Sequence, residues 1–252
     1  MTTQVAVIGA TGKMGQLASR IIEAAPDFEL YAQVGSRDEL STMLGADLII
    51  DVTQPAVSQK VVEFAVEHDI NVLVGTSGWS NERITVLERT LKTKPSVGVV
   101  IIPNFSIGSV LATSFAALAA RFFDSIEIIE AHHAGKSDSP SGTAVRTAEL
   151  IGNARAELGP VIAPHADQRA RGQQVSSIPI HSLRMQGTVA RQDVIFGGTG
   201  EVLTLTHETI SSDSYESGIL LALRAAREAT GVVVGLDKLI NLGAPGAAGA
   251  TG

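Results

Sequence analysis

The stretch from Glu130 to Ala144 carries the residue types and spacing best suited to chemistry; it reads Glu-Ala-His-His-Ala-Gly-Lys-Ser-Asp-Ser-Pro-Ser-Gly-Thr-Ala. Two adjacent histidines, His132 and His133, end a strand-like run, and alternation along a strand directs their side chains to opposite faces. One imidazole can therefore face a substrate while the other makes a secondary or structural contact. Lys136 follows four residues after His132 and supplies an ammonium group that is charged at neutral pH. The stretch thus combines a proton donor with a fixed cation.

The same stretch ends in Ser141-Gly142-Thr143, which opens a predicted helix. The first turn of a helix presents free N–H groups at the positive end of its dipole, an arrangement suited to a carboxylate. An ordinary N-cap by Ser141 is the alternative, and the two readings are compatible. A metal centre is not expected, because the two histidines are adjacent rather than four residues apart and the chain has neither cysteine nor an evident third ligand.

A glycine-rich turn, Gly9-Ala-Thr-Gly-Lys-Met-Gly15, follows the apolar run Val5–Ile8 and precedes a predicted helix. Its spacing is a variant of the dinucleotide fingerprint, in which glycines let the backbone turn tightly and approach a pyrophosphate. A P-loop is excluded, because no glycine lies five residues before Gly12 and Met14 follows Lys13. The turn therefore predicts a dinucleotide site, with a glycine-rich turn in some other α/β protein as the alternative.

The segment after the second predicted strand, Gly35-Ser36-Arg37, bears on which cofactor is used. Dinucleotide folds often place an acidic residue here to bind the adenosine ribose hydroxyls. Its absence, with a hydroxyl and a guanidinium nearby, favours a 2′-phosphate. We therefore predict that NADPH is preferred over NADH and that Ser36 and Arg37 contact it. The alternatives are that Arg37 is a solvated loop charge, or that Asp38 and Glu39 serve the ribose.

The first half of the chain alternates between apolar runs and helix-like segments, which implies a parallel sheet with helices on both faces. The predicted strands are Val5–Ile8, Leu30–Val34, Leu48–Val52, Val72–Val74 and Val97–Ile102, with helices near Met14–Ala24, Ala56–Glu67 and Asn81–Lys92. Gly75-Thr-Ser-Gly78 follows the fourth strand and Pro103-Asn-Phe105 the fifth. Both lie at carboxyl ends of strands, where open α/β sheets bind ligands, although ordinary loop breakers would look the same.

The pattern changes after Phe105. The predicted elements are helices Gly108–Phe122, Thr143–Ala156 and Ser214–Thr230, strands Ser125–Ala131, Ile178–Met185, Thr188–Phe196 and Glu201–His207, and a long loop Pro160–Gln174. Turn residues at 186–187 and 197–200 separate the last three strands, as in antiparallel hairpins. We read an α/β protein with a dinucleotide-binding domain over residues 1–105 plus about 214–252, and a mixed-sheet domain over 106–213 for substrate binding and oligomerisation.

Composition narrows the possible partners. The chain has 252 residues, 44% of them hydrophobic, enough for one large or two modest domains. A net charge of −7 argues against nucleic acid, and the absence of cysteine excludes thiol chemistry and fits a reducing compartment. No secretory leader is visible, and the apolar stretch Val110–Phe123 is too short to cross a bilayer, so we expect a cytoplasmic protein without a membrane partner. The Ala/Gly-rich tail Gly243–Gly252 is predicted to be mobile.

These motifs closely resemble those of the 4-hydroxy-tetrahydrodipicolinate reductase (dihydrodipicolinate reductase) family of lysine and diaminopimelate biosynthesis. The resemblance covers nearly the whole chain. It rests on the glycine turn, Asp51-Val-Thr-Gln-Pro55, Val74-Gly-Thr-Ser-Gly78, Pro103-Asn-Phe-Ser-Ile-Gly108 and the signature Glu130–Ala144. The chain departs from the family pattern at Ser139, where alanine is usual, at Val52, where phenylalanine is usual, and at Gly35, which replaces an acidic residue of several relatives. The last departure puts an NADH preference in doubt.

The resemblance implies roles for individual residues. His132 is expected to be the proton donor or acceptor and Lys136 a second proton donor, while His133, Ser141 and the backbone of Gly142 and Thr143 are expected to hold the carboxylates of a cyclic imine substrate. The residues expected to line the nicotinamide cofactor are Gly9, Ala10, Thr11, Gly12, Lys13, Met14, Gly75, Thr76, Ser77, Ile102, Pro103, Asn104 and Phe105. The implied fold is a Rossmann domain plus a mixed α/β domain whose sheets associate in a homotetramer. The antiparallel strands Ile178–His207 offer a large surface for that assembly, and a hinge near Phe105–Ile107 is expected to close over the substrate.

Two rival functions remain at this point. A homoserine-type dehydrogenase is compatible with the glycine turn alone, whereas a semialdehyde dehydrogenase is not, because it needs a thiol nucleophile. A nucleotide-sensing protein on a reductase scaffold would bind NADPH without turnover. The presence of both His132 and Lys136 argues against the sensor, which needs neither.

Overall fold

The computed structural model describes residues 2–240, so the tail predicted to be mobile lies outside the described residues. The strands are β1 (Thr3–Ile8), β2 (Phe28–Val34), β3 (Leu48–Asp51), β4 (Asn71–Val74), β5 (Gly98–Ile101), β6 (Ser125–His133), β7 (Gln173–Val175), β8 (Ile178–Met185), β9 (Ala190–Gly198), β10 (Glu201–Thr209) and β11 (Gly231–Val234). The α-helices are α1 (Lys13–Ala24), α2 (Pro55–Glu67), α3 (Asn81–Leu91), α4 (Ile107–Ala119), α5 (Gly142–Ala154) and α6 (Glu216–Glu228). No helix within residues 2–240 is long and apolar enough to span a bilayer.

The described residues form two compact units: 2–106 with 215–240 make the first, and 107–214 make the second. In the first unit six parallel strands lie in the order β11-β5-β4-β3-β1-β2. Successive residues of β1 from Val5 to Ile8 are all buried, as expected when both faces of a sheet are covered by helices. The predicted Rossmann-type parallel sheet is confirmed.

One strand of this sheet was missed. Gly231–Val234 forms β11, which pairs with β5 at the edge of the sheet. The predicted last helix ran to Thr230 with no strand after it, although the valines of Gly-Val-Val-Val are β-branched residues typical of strands. Helix α6 ends at Glu228 and packs against β4 and β5 within the first unit.

The second unit contains a mixed sheet in the order β10-β9-β6-β8-β7, with α5 packed on α4 and both helices contacting the sheet. The alternate residues Ile126 and Ile128 of β6 join Phe196 of β9 and Ile151 of α5 in its core. Strand β6 is the centre of the sheet, antiparallel to β9 and parallel to β8. The predicted second, mixed α/β sheet domain is confirmed as a fold.

Two local predictions in this unit are wrong. Strands β8 and β9 do not form a hairpin about Gln186-Gly187, because β6 lies between them and residues 186–189 cross its end. The strands Ile178–His207 are accordingly not a continuous antiparallel surface: β8 is parallel to its neighbour β6. The predicted loop Pro160–Gln174 contains a 3-10 turn at Arg169–Arg171 and runs into the short strand β7.

Candidate active site

Strand β6 positions the first two groups of the site. Glu130 follows Ile126 and Ile128 on the helix-covered face and is fully buried, and His132 is next on that face. The Nδ1 atom of His132 lies 2.6 Å from Oε2 of Glu130. His133, the next residue, is exposed. The strand therefore presents one histidine to a buried carboxylate and the other to solvent.

Arg184 completes the surroundings of Glu130. It lies on β8 opposite His132 in the parallel register. Its Nη1 and Nη2 atoms each donate a hydrogen bond of 2.9 Å, one to either oxygen of the Glu130 carboxylate. Neither the pairing of Arg184 nor a role for Glu130 was predicted from the sequence. Nothing in the sequence marks Arg184 as a partner, because only the pairing of β6 with β8 brings together residues 54 positions apart.

The charges of this cluster set its proton chemistry. Burial raises the pKa of Glu130, but hydrogen bonds from Arg184, Ser182 and His132 outweigh burial and hold that pKa below its ordinary value. Burial lowers the pKa of His132; the nearby Glu130 opposes this shift, while Lys136 reinforces it. Glu130 is therefore an ionised acceptor at neutral pH, and His132 is mainly neutral there and a stronger acid when protonated.

The loop after β6 carries Lys136, the positively charged side chain of the site. The Nζ atom of Lys136 pairs with Oδ1 of Asp138 at 2.7 Å, and about a fifth of the Lys136 side chain is exposed. The hydrogen bond from Lys136 lowers the pKa of Asp138. Arg184 donates a hydrogen bond of 2.6 Å to the backbone carbonyl of Asp138, so the loop is tied to the same arginine that binds Glu130.

Helix α5 begins beside this cluster. Ser141 is its N-cap: its hydroxyl accepts a hydrogen bond from the backbone N–H of Ala144 at 3.2 Å. The backbone N–H of Ser141 donates to Oε1 of Glu130 at 3.2 Å. Gly142 is exposed, and a Cβ atom added there would meet no described atom within 4 Å. Open space therefore adjoins the N-terminus of α5, as an anion site there requires, and Thr143 is partly buried in the same turn.

The glycine turn of the first unit needs its glycines. Gly9 has a φ of +89°, and a Cβ atom there would lie 2.6 Å from the carbonyl oxygen of Val52. A Cβ atom at Gly15 would overlap the carbonyl of Gly9, so α1 can start close to β1 only if that position is glycine. Ala10 is buried, while Thr11, Gly12 and Lys13 are exposed and Met14 is partly buried. The turn is thus a cradle of close backbone that fits a dinucleotide pyrophosphate.

Two further loops meet at the carboxyl ends of β4 and β5. A Cβ atom at Gly75 would lie 2.6 Å from the ring of Phe105, so these two predicted cofactor positions are in contact. Thr76, Ile102 and Phe105 are buried, whereas Ser77 and Pro103 are exposed and Asn104 accepts a hydrogen bond from the backbone N–H of Ser106. Buried members of this set can reach a ligand mainly through their backbone.

A buried acid that the sequence analysis gave no role supports the first of these loops. The Asp51 carboxylate accepts hydrogen bonds from the backbone N–H and the hydroxyl of Thr53, at 3.1 and 2.6 Å, and from the hydroxyl of Ser58. Thr76 accepts from the same Thr53 N–H at 2.9 Å, and Trp79 donates to Ser58. This network links the loop after β3 to the loop after β4.

The segment after β2 was expected to lack an acidic side chain next to the adenosine ribose, because Gly35 replaces the usual acidic residue. The structure differs from this expectation. Ser36 and Arg37 are exposed, as a contact to a cofactor phosphate requires. However, Asp38 folds back, and its Oδ2 accepts a hydrogen bond of 2.7 Å from the backbone N–H of Gly35. A carboxylate therefore lies next to Gly35 after all, supplied from three residues further along the chain.

Comparisons with known proteins agree across the whole described chain. Residues 3–105 match the family model "Dihydrodipicolinate reductase, N-terminus" and residues 108–240 match "Dihydrodipicolinate reductase, C-terminus". The 4-hydroxy-tetrahydrodipicolinate reductase of Clavibacter michiganensis is 72% identical over 96% of this chain and 87% of its own length. The enzyme of the same name from Streptomyces griseus is 44% identical over 95% of this chain and 98% of its own length.

A solved structure supports the same assignment. Dipicolinate-bound dihydrodipicolinate reductase from Paenisporosarcina sp. TG-14 superposes with a TM-score of 0.81 at 30% identity, covering 95% of this chain and all of that one. A myo-inositol dehydrogenase from Corynebacterium glutamicum, at 15% identity and a TM-score of 0.55, shares the fold alone. The chain therefore belongs to the dihydrodipicolinate reductase family of NAD(P)H-dependent oxidoreductases, which act in lysine and diaminopimelate biosynthesis.

Proposed function

We propose that His132 and Lys136 carry the protein's part of the reduction of 4-hydroxy-tetrahydrodipicolinate to tetrahydrodipicolinate. The observation that carries this proposal is a single cluster in the second unit, where His132 shares the Glu130 carboxylate with the N-cap of α5 and feels the charge of Lys136. When bound, the nicotinamide supplies a hydride to the substrate ring. The ring hydroxyl leaves as water and one proton is taken up, so the residues must supply a proton and stabilise charge.

His132 is the proton donor in this proposal. Its Nδ1 faces Glu130, which leaves Nε2 to exchange a proton with the substrate. The ammonium group of Lys136 stabilises the negative charge that develops as the ring is reduced. It would exchange Asp138, its partner in this structure, for a substrate carboxylate.

The substrate is a small cyclic imine with two carboxylates. We assign one carboxylate to the N-terminus of α5, where Ser141 caps the helix and the backbone of Gly142 and Thr143 presents the positive end of the dipole. His133, which is exposed beside the loop of Lys136, contacts the other. Removing the hydroxyl of the capping serine would loosen the first of these contacts without touching a proton donor.

The cofactor is a nicotinamide dinucleotide. We assign its pyrophosphate to the cradle Gly9–Met14, and its nicotinamide end to the loops Gly75–Ser77 and Ile102–Phe105. The close approach of the glycine backbone, which leaves no room for side chains at Gly9 and Gly15, is the feature that fits this group.

NADPH is proposed as the preferred cofactor, through Ser36 and Arg37 on the 2′-phosphate. Arg37 makes no ion pair with any residue in 2–240, so its guanidinium can take a phosphate. Asp38 acts in the opposite direction, because its carboxylate beside Gly35 repels a 2′-phosphate and can accept from ribose hydroxyls. The balance of these two charges makes NADH a usable second cofactor.

Opposite changes at these two positions test the preference. Arg37→Ala is expected to lower the ratio of kcat/KM for NADPH to that for NADH by roughly 10- to 100-fold, since a hydrogen bond to a charged group contributes about 1.5–3 kcal/mol. Asp38→Asn is expected to raise the same ratio. Initial rates of NADPH and NADH oxidation, measured side by side, check both. A wild-type preference for NADH that Arg37→Ala leaves unchanged would contradict the assignment of Arg37.

The chain is further proposed to form a homotetramer through the second sheet. Ile195 alternates with the core residues Val194 and Phe196 and lies opposite Glu127, on the face turned away from the core. This face contains a depression of about 390 Å³, lined by Ser125, Glu127, Ile129, His181, Ile195 and Gly197. Exposed Leu183, Met185 and Val202 extend the same face. These apolar side chains lie among the ion-paired Glu127 and Asp193 of the same face, and a face that exposes large apolar residues among charged ones is typical of a subunit interface.

Light scattering on the purified protein tests this assembly. The wild type is expected to have four times the mass of one chain. Val202→Glu is expected to dissociate the assembly into smaller species, because it introduces into the interface a charge that lies opposite Gly197 and has no side-chain partner there. A wild-type mass equal to a single chain would contradict the tetramer.

A further inference from the structure

Glu130 is the only fully buried carboxylate of the second unit within the described residues, and three different parts of that unit converge on it. Its Oε2 faces Nδ1 of His132, its Oε1 accepts from the backbone of Ser141, and Arg184 bridges both oxygens. The signature Glu130–Ala144 contains this residue, but the resemblance assigns it no role, and the proposed reaction uses it only as the neighbour of His132.

The geometry points to Glu130 as the positioning residue of this active site: one carboxylate orients the imidazole of His132 and anchors the first turn of the anion-binding helix α5, while Arg184 balances its charge. This inference rests on the proposed roles of His132 and α5, and it deepens them. Glu130 touches no reacting atom; it acts through the groups that do.

The orientation of His132 follows from what an ionised carboxylate can do. A carboxylate only accepts hydrogen bonds, so the Nδ1 atom at 2.6 Å must carry a hydrogen. In the neutral imidazole the Nε2 atom is then the basic nitrogen, and it is the one that gains and loses the catalytic proton. A buried acid plays the same part for the histidine of serine-protease triads.

Arg184 is what allows a carboxylate to remain charged at this depth. A buried charge is costly unless it is paired and hydrogen-bonded, and the two-pronged contact of a guanidinium meets both needs. Arg184 also donates to the backbone carbonyl of Asp138, whose side chain holds Lys136. The Glu130–Arg184 ion pair thus fixes three parts of the site: His132, the loop that carries Lys136 and the N-terminus of α5.

Kinetics of Glu130→Gln test the inference, because glutamine keeps the shape and removes the charge. The groups facing His132 are Glu130, Arg184 and Lys136, and Asp138 pairs with that lysine. Without the Glu130 charge the remaining cations disfavour the imidazolium. We expect kcat to fall by at least about 10-fold, and by no more than the about 10²- to 10⁴-fold that general acid–base catalysis contributes in total. We also expect the pH limb that reports His132 to move to lower pH, and KM for the substrate to rise while NADPH affinity is unchanged.

Glu127→Gln is the matched control. Glu127 lies on the same strand and also has an arginine and a histidine as partners, Arg171 and His181, but it alternates onto the other face of the sheet. Its replacement is expected to leave kcat and the pH profile of the assembled enzyme unchanged, with the subunit mass measured in parallel. Equal effects of the two changes would overturn the inference.

A double-mutant cycle separates this inference from the proposed function. If Glu130 acts through His132, adding Glu130→Gln to His132→Gln lowers kcat little further, because residues acting as a unit are not additive. Near-normal turnover of His132→Gln alone would defeat the proposed function. Slow turnover of His132→Gln with normal kcat, KM and pH profile for Glu130→Gln would overturn this inference alone.

The tautomer of His132 provides a test that is made on the wild-type protein and does not depend on the folding of a Glu130 variant. Nitrogen NMR of the histidine-labelled wild type, with the His132 signals assigned by their loss in His132→Gln, distinguishes the two neutral imidazoles. The Nδ1–H form, with Nε2 as the titrating nitrogen, is expected. An Nε2–H form would overturn the orientation that we assign to Glu130.

Discussion

Replacing Lys136 with alanine is expected to lower kcat for cofactor oxidation with 4-hydroxy-tetrahydrodipicolinate by about 10²- to 10³-fold, the usual cost of removing one preorganised electrostatic group. Only about a fifth of the Lys136 side chain is exposed, and its ammonium group pairs with Asp138 at 2.7 Å in a loop that Arg184 also contacts. Because a charge in such a site acts without having to be reorganised, its loss appears in kcat as well as in KM. Steady-state rates at saturating NADPH measure this effect.

Two controls distinguish a lost charge from a disturbed loop. Lys136→Ala leaves Asp138 without its partner, so the double variant Lys136→Ala/Asp138→Asn removes both charges. We expect it to be as slow as the single variant. Asp138 is more than half exposed, so the loss of its ion pair has a small effect on the stability of the loop. Lys60→Ala, at an exposed position of α2, is expected to be as active as the wild type. Near-normal kcat of Lys136→Ala would refute the role of Lys136.

The second large effect is expected at His132. His132→Gln removes the proton donor and should lower kcat by about 10²- to 10⁴-fold, the range for general acid–base catalysis. The dissociation constant of NADPH should stay unchanged, because the cofactor is assigned to the glycine cradle and strand ends of the first unit. Fluorescence titration of NADPH, beside the rate measurement, checks both parts.

The role of His132 as a proton donor also predicts the direction in which kcat/KM changes with pH. The protonated imidazole is the acid, so kcat/KM should decline as the pH rises through the pKa of His132. Burial lowers that pKa below its ordinary value of about 6.5, so the decline should begin on the acidic side of neutrality. His132→Gln should lose this limb of the profile, while His68→Gln, which changes an exposed histidine at the C-cap of α2, should keep it. An unchanged profile in His132→Gln would show that another group donates the proton.

The features that sequence analysis predicted are those encoded locally. The buried strands of the first unit are continuous apolar runs, and the glycine turn is marked by the residues whose backbone must approach closely, as the absence of room at Gly9 and Gly15 shows. The start of α5 was likewise readable, because Ser141 is a capping residue followed by helix-forming sequence. Local sequence therefore predicted the buried strands, the glycine turn and the start of α5 as elements of the two units.

The features that it missed depend on pairing between distant strands. The turn residues Gln186-Gly187 are compatible with flanking strands that pair directly and with flanking strands that have another strand between them. The sequence therefore could not show that β6 lies between β8 and β9. The same long-range pairing brings Arg184 to Glu130, which is why the partner of the buried acid had no local signal. Asp38 was visible, but its return to the backbone of Gly35 depends on the conformation of the turn.

Single-turnover oxidation of bound NADPH tests the central claim most directly. Wild-type enzyme and the His132→Gln/Lys136→Ala double variant are each loaded with NADPH and mixed with freshly generated 4-hydroxy-tetrahydrodipicolinate, and the nicotinamide absorbance is followed. We predict rapid oxidation by the wild type and, at unchanged NADPH affinity, a loss in the double variant larger than that of either single variant. Oxidation by the double variant at a rate close to that of the wild type would contradict the assignment of the reaction to this cluster.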